Sequence, residues 1–143
     1  MNNNQLFLSK CLSKAALNGE NTYVKNLVEV DKVEIYDHPA FMIAFQAGFL
    51  NIAKYLYEKG VNYEFVKSLA RTNLANEYSD AQILLLLENF NVNANLLPYR
   101  VLMKYFERRD MNIINLLVRN FLDKEVLEKL CIKFNVVLEL KQY

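Results

Sequence analysis

The side chains that most often carry out chemistry are few and scattered in this sequence. His38 is the only histidine, and it directly precedes a proline, as expected of a residue in a loop or at a helix start. The cysteines, Cys11 and Cys131, are far apart and have no histidine near them in sequence. A catalytic thiol needs an activating base, and a structural zinc site needs clustered ligands. The sequence therefore predicts no nucleophile, no metal site and no cofactor.

Residues suited to acid–base catalysis or to phosphate binding are equally scarce. The carboxylates of the acidic stretch Glu29–Asp37 are explained by a solvated loop, whereas a general acid or base needs burial. The three glycines stand singly, unlike those of a loop that cradles a phosphate group. We therefore predict that the protein is not an enzyme.

The most directional charges follow Tyr99. Arg100, Lys104 and Arg108 are each four residues apart, so on a helix they share one face. Such a stripe is either a solvated face or a docking site for an acidic partner or a nucleic-acid backbone. Glu107 lies beside the stripe and weakens its field. The net charge of +1 gives the chain no general attraction to nucleic acid or to acidic membranes.

Length and composition indicate one domain, residues 1–143. The chain is 53% hydrophobic, which is enough for a core and excludes a disordered tail. Met1–Gln5 lacks the features of a signal peptide, and no apolar run is long enough to span a membrane. With two distant cysteines, which we expect to be reduced, these features predict an intracellular, cytoplasmic protein with no membrane partner.

The sequence repeats with a period near 30 residues, and each copy predicts two helices. Each has a small residue, a helix break and then an aliphatic stripe at i, i+3 and i+4. The recurring residues are Ala15, Ala44 and Ala75; Ile52, Ile83 and Ile113; and Leu27, Leu56, Leu87 and Leu117. The first helices are predicted to end near Gly19, Gly48, Ser79 and Arg109. Gly48 and Gly60 are predicted to stop helices in the left-handed conformation, and Asn91 stands where Gly60 stands.

The pattern predicts an all-α fold: a solenoid of about four helix–turn–helix repeats. Their approximate bounds are 8–35, 36–66, 67–97 and 98–122, followed by a C-terminal capping helix within 123–143. Polar connections are predicted at Asp31–His38, Asn62–Lys67 and Asn91–Tyr99. The apolar stretch Phe134–Leu140 could end in a strand or in the last turn of the cap.

These residues resemble the ankyrin repeat over about residues 8–121. The second copy carries the family's alanine, glycine, aliphatic, leucine, glycine and asparagine positions as Ala44, Gly48, Ile52, Leu56, Gly60 and Asn62. The family's threonine–proline–leucine–histidine opening is absent, and Ser79 and Arg109 replace the mid-repeat glycine. The pattern is similar to degenerate ankyrin repeats of large DNA viruses, phages and AT-rich parasites. A different α-solenoid or an irregular helical bundle would also fit.

The resemblance implies a protein that binds another protein along a concave face, lined by the connections and the outward side of the first helices. Tyrosine offers a large rigid contact, and an exposed methionine an adaptable one. The predicted partner-binding residues are Tyr36, Met42, Gln46, Tyr63, Asn73, Glu77, Tyr99, Arg100, Met103, Lys104, Glu107 and Arg108. Each tyrosine could instead tuck under its own loop.

Three functions are consistent with these features. The first is a non-catalytic interaction module, for example a viral or phage host-interaction factor that inhibits a host defence complex. The second is a nucleic-acid or nucleoprotein ligand that uses residues 100–109. The third is a structural protein that forms homo-oligomers through its apolar end, Phe134–Leu140.

Overall fold

The computed structural model describes residues 2–138, and within that range it contains helices and no strand. The α-helices are α1 (Asn3–Asn18), α2 (Asn21–Glu29), α3 (Ala40–Ala47), α4 (Leu50–Gly60), α5 (Tyr63–Arg71), α6 (Asp80–Leu84), α7 (Tyr99–Glu107), α8 (Met111–Arg119) and α9 (Lys124–Phe134). A π-helical turn continues α6 over Leu85–Asn89. Short 3₁₀-helices span Asn73–Glu77 and Ala94–Leu96. The prediction of an all-α fold is confirmed.

The helices form two rows. In the first row α1 packs on α3 and α3 on α5, while α7 packs on the 3₁₀-helix after α5 and on α9. In the second row α2 packs on α4, and both α4 and α8 pack on the π-helical turn. Helix α1 also packs on α2 and α3 on α4, so an element contacts both its partner within the pair and its counterpart one helix pair away.

A left-handed residue ends four helices of the first row. The four are Gly19, Gly48, Arg109 and Asn135, with φ of +72°, +88°, +52° and +55°. In each case the next backbone N–H donates to the carbonyl five residues earlier, from Glu20 to Ala15, Phe49 to Ala44, Asp110 to Tyr105 and Val136 to Cys131. This bond satisfies a carbonyl that a helix end otherwise leaves free. By this criterion α9 ends as α1, α3 and α7 end.

The helices pair along the chain as α1 with α2, α3 with α4, α5 with α6 and α7 with α8. The third helix pair lacks the left-handed stop. Its first helix, α5, gives way at Thr72 to the 3₁₀-helix, and Ser79 then begins α6 with a capping box that includes Gln82.

A second set of left-handed residues lies at or just after the ends of the second-row helices. These residues are Lys32, Gly60, Asn91 and Phe121, with φ of +56°, +105°, +53° and +70°. The predictions for Gly48, Gly60 and Asn91 are confirmed. Lys32 and Phe121 were not predicted, because side chains of these types rarely adopt positive φ.

Three boundaries differ from those expected. Helix α5 ends at Arg71, so the predicted helix end near Ser79 is wrong. Helix α5 begins at Tyr63, so the predicted connection Asn62–Lys67 is wrong, and the repeat boundary at 66/67 falls inside a helix. The early start has a local cause, because the Asn62 side chain accepts the Glu64 backbone N–H at 3.0 Å and caps the helix. At the N-terminus α1 begins at Asn3, before the expected start at residue 8.

The apolar stretch Phe134–Leu140 is only partly described. Phe134 ends α9, and residues 136–138 are neither helix nor strand. Residues 139–140 of that stretch, and residues 141–143 of the expected cap, lie outside the described residues.

The core runs without a break between the two rows, from Leu12 to Val136. Its largest fully buried side chains include Phe41, Phe45 and Phe90. The ring of Phe90 lies 5.5 Å from that of Phe41 and is stacked 4.3 Å from that of Tyr57, measured between centroids. Burying one such side chain contributes roughly 1.5–3 kcal/mol.

We expect Gly19→Ala to destabilise the fold more than Gly48→Ala. Both residues have positive φ, so alanine costs about 1 kcal/mol at either position. At Gly19 the new Cβ would also lie 2.5 Å from Cε1 of Phe49, whereas at Gly48 it meets no atom within 4 Å. The Phe49 ring is partly exposed and can move aside at modest cost, so the total at Gly19 should be about 1.5–2 kcal/mol in urea unfolding. In a Phe49→Ala background the excess should vanish; an excess that persists would contradict this cause.

Candidate interaction surface

The connections between helix pairs lie along one side of the molecule, joined to one another by hydrogen bonds. We call this side the connection edge; its residues are 30–39, 61–63, 90–99 and 120–123. Asn62 donates its backbone N–H to the Tyr36 carbonyl at 2.8 Å and its side-chain amide to Asp37 Oδ1 at 2.9 Å. The Tyr63 hydroxyl donates to the Phe90 carbonyl at 2.7 Å. The first three connections are thus linked in sequence.

Asparagines extend the chain of hydrogen bonds to the last connection. The Ala94 N–H donates to the Asn120 carbonyl at 2.8 Å. The Asn95 side chain donates to the Phe121 carbonyl and accepts the Asp123 N–H, both at 2.8 Å. Because an amide side chain has both a donor and an acceptor, a single asparagine can join two loops.

The predicted tyrosines all lie on the connection edge and are exposed. The exposed fractions are 56% for Tyr36, 39% for Tyr63 and 46% for Tyr99. Tyr63 has its hydroxyl bound to the neighbouring connection, and burial raises its pKa. The hydroxyls of Tyr36 and Tyr99 make no hydrogen bond to residues 2–138.

One aromatic residue of the connection edge was missed. Phe121 is 76% exposed, among the most exposed large apolar side chains in the described residues. The sequence contained a signal, because Phe121 stands one period after Asn91 and two after Gly60. The left-handed conformation predicted at Gly60 and Asn91 was not extended to Phe121, because bulky side chains rarely adopt positive φ.

The predicted residues on the first-row helices have unequal exposure. Gln46, Asn73, Glu77 and Glu107 are exposed on successive elements of that row. Met42 and Met103 are half-buried and pack against the core, so the expectation of exposed methionines is wrong. Met103 also accepts a weak hydrogen bond from Lys133 Nζ at 3.9 Å.

The basic stripe of α7 is partly occupied by contacts within the protein. Arg108 Nη1 lies 3.2 Å from Asp80 Oδ1, and the Tyr105 hydroxyl donates to the same oxygen at 2.8 Å. Lys104 Nζ lies 5.0 Å from the centre of the Tyr105 ring. The pKa of Lys104 is lowered, mainly by burial and secondly by repulsion from Arg108. Arg100 remains exposed. This geometry gives a nucleic-acid role less support than the spacing alone.

His38 and Ser9 form a pair that the sequence did not predict, because they are 29 residues apart. The Ser9 hydroxyl lies 2.8 Å from His38 Nε2, a distance typical of a nucleophile and its base. However, His38 Nδ1 accepts the Ala40 N–H at 3.0 Å, so in the neutral ring the proton is on Nε2. Nε2 then donates to the Ser9 carbonyl at 3.0 Å and cannot take the hydroxyl proton. The pair therefore caps α3 and ties it to α1.

A cleft of about 690 Å³ lies beside this pair and includes Gln5, Tyr36 and Asp37 in its lining. Cys11 and Cys131 are both free thiols, and burial raises the pKa of Cys131. Among residues 2–138 no three histidine, cysteine or carboxylate side chains are grouped as metal ligands would be. Over the same range, no helix has the length and apolar character needed to cross a membrane.

Stability should fall as the pH drops below 6.5, through His38. Burial lowers the pKa of His38 from its ordinary 6.5, so below that pH the unfolded chain binds a proton that the folded chain does not. We expect wild-type protein to lose more unfolding free energy than His38→Asn between about pH 7.5 and about pH 5.5. Asparagine can still accept the Ala40 N–H. Equal losses in urea titrations of the two proteins would contradict this role.

Comparison with known proteins finds no family model, no curated protein and no solved structure that matches this chain.

Proposed function

We propose that this protein is a non-catalytic interaction module, built as an ankyrin-like solenoid of four helix pairs closed by α9. The periodic contacts support this architecture. Within residues 2–138, some side-chain hydrogen bonds have partners that are more than nine residues apart in sequence. All of these bonds join partners separated by 25 to 37 residues, which is about one helix pair. Contacts restricted to the neighbouring unit are typical of solenoids.

The proposed partner is another protein, bound through the connection edge. Exposed aromatic side chains there are carried by loops and helix starts that hydrogen bonds already hold in place. A surface ordered before binding loses less conformational entropy when the partner docks, and aromatic side chains supply much of the energy at protein interfaces. Gln46, Glu77 and Glu107 on the first-row helices would add polar contacts at the rim.

The observation that carries the proposal is Phe121. Its φ of +70° costs a bulky side chain about 1 kcal/mol or more, and at 76% exposure the ring recovers little of this by burial. Gly60 and Asn91 fill the equivalent positions at lower cost. An exposed aromatic residue in a strained conformation is explained if its ring contacts a partner.

A role as a viral or phage factor that acts on a host defence complex belongs to the same proposal. It is supported by the sequence resemblance alone.

We expect the double substitution Tyr36→Ala/Tyr99→Ala to abolish capture of the partner while leaving the fold intact. Neither hydroxyl is bound within the described residues, whereas Tyr63 joins two connections and is unsuited to the test. The matched control is Tyr23→Ala, a 41% exposed tyrosine on α2, away from the connection edge. Capture from host-cell extract would be quantified by mass spectrometry. Two outcomes would contradict the proposed surface. In the first, Tyr23→Ala fails to capture the same proteins; in the second, the double variant still captures them.

Phe121→Asn should stabilise the protein and weaken the partner interaction. Asparagine tolerates the left-handed conformation, so we expect a gain of about 0.5–1 kcal/mol in urea unfolding. Partner capture by the same variant should fall. A loss of stability would show that the ring supports the fold, and unchanged capture would remove Phe121 from the interface.

A further inference from the structure

The two ends of the helix rows expose apolar side chains flanked by charges of opposite sign. At the first end, α1 presents a stripe of Phe7, Lys10, Lys14 and Leu17, opposite its buried face. Phe7 is 63% exposed and Leu17 is 57% exposed. A groove of about 500 Å³ between α1 and α2, which Tyr23 and Glu20 help to line, continues this surface. Lys10, Lys14 and Glu20 together leave it with one net positive charge. We call it the head face.

At the other end, α9 turns Leu130 into the core and presents Glu125, Glu128 and Ile132 outward. Ile132 is 82% exposed. Lys129 is also exposed on this side, so Glu125, Glu128 and Lys129 together carry a net charge of −1. We call this outward side of α9 the tail face.

The head and tail faces have the geometry of consecutive first-row helices. Helix α9 starts from the connection edge and ends at the left-handed Asn135, just as α1 ends at Gly19. Helices α1 and α3 lie level when these stops are aligned, because His38 contacts Ser9 at the same 29-residue offset that separates Gly48 from Gly19. An α1 helix stacked on α9 would therefore continue the row in the same direction.

This alignment brings opposite charges and apolar side chains together. With Gly19 placed level with Asn135, Lys10 falls between Glu125 and Glu128. Leu17 falls beside Ile132 in the same arrangement. Lysine and glutamate at the rim of an apolar contact fix its register more than they add to its strength.

We propose that the protein associates head to tail, the head face of one copy packing on the tail face of a second copy. The association is heterologous, so each added copy leaves one head and one tail free and the chain of copies can lengthen. It uses the two end faces and is independent of the proposed function at the connection edge.

The test is sedimentation velocity of the full chain between about 1 μM and about 1 mM. Wild-type protein should show a mean mass that rises with concentration and passes beyond a dimer. The head variant Lys10→Glu/Lys14→Glu and the tail variant Ile132→Asp should each weaken association about tenfold or more. Lys54→Glu, an exposed charge reversal on α4, is the matched control and should associate as wild type does. Circular dichroism and melting would show that each variant is folded.

Mixing the two variants separates head-to-tail association from other modes. The head variant keeps an intact tail and the tail variant an intact head, so the mixture should form one-to-one dimers that do not grow. A wild-type protein that stays monomeric would overturn the proposal. So would a dimer sensitive to only one of the two variants, because that pattern indicates a symmetric contact. Binding of the connection-edge partner should be unchanged in both variants, so failure here leaves the proposed function standing.

Discussion

A pair of short helices cannot cover its own apolar surface, and this constraint accounts for most of the structure. Each pair has one face toward the pair before it and one toward the pair after it, and only packing of neighbours removes both from water. The contacts between α1 and α3 and between α2 and α4 meet this need at the start of the chain. At the ends no neighbour is present in residues 2–138, which is why Phe7 and Ile132 are exposed.

The same constraint explains why chain reversal is so regular. Helices can stack in rows only if each stops at nearly the same height, and a left-handed residue is the shortest way to stop one. Glycine does this with least strain at Gly19 and Gly48, whereas Arg109 and Phe121 do it at a cost. Arg109 offsets part of the cost by donating to the Phe134 carbonyl at 2.8 Å. Phe121 has no such compensation through its ring within the described residues, which makes it informative about function.

Much of the architecture could be predicted from the sequence, because it depends on interactions between residues close together in the chain. The apolar spacing around Leu27, Leu56 and Leu117 predicts helices, and the stops at Gly48, Gly60 and Asn91 follow from backbone sterics alone. The start of α5 was misplaced because the polar run after Asn62 resembles a loop. A single side-chain cap on the Glu64 N–H turns that run into a helix. The surface was predicted less well, since the spacing of Lys104 and Arg108 does not reveal that both lie against Tyr105.

The sequence by itself determined the helical class, the period near 30 residues and the positions where glycine or asparagine must turn the chain. These properties depend on neighbours within a few residues. Tertiary structure alone decided which polar groups meet: His38 with Ser9, Asn62 with Asp37, and Arg108 with Asp80. Their partners lie a whole helix pair apart, and their pairing depends on the height at which neighbouring pairs stack. It also decided that Phe121 would be both strained and exposed, with a φ of +70° and a ring that is 76% exposed.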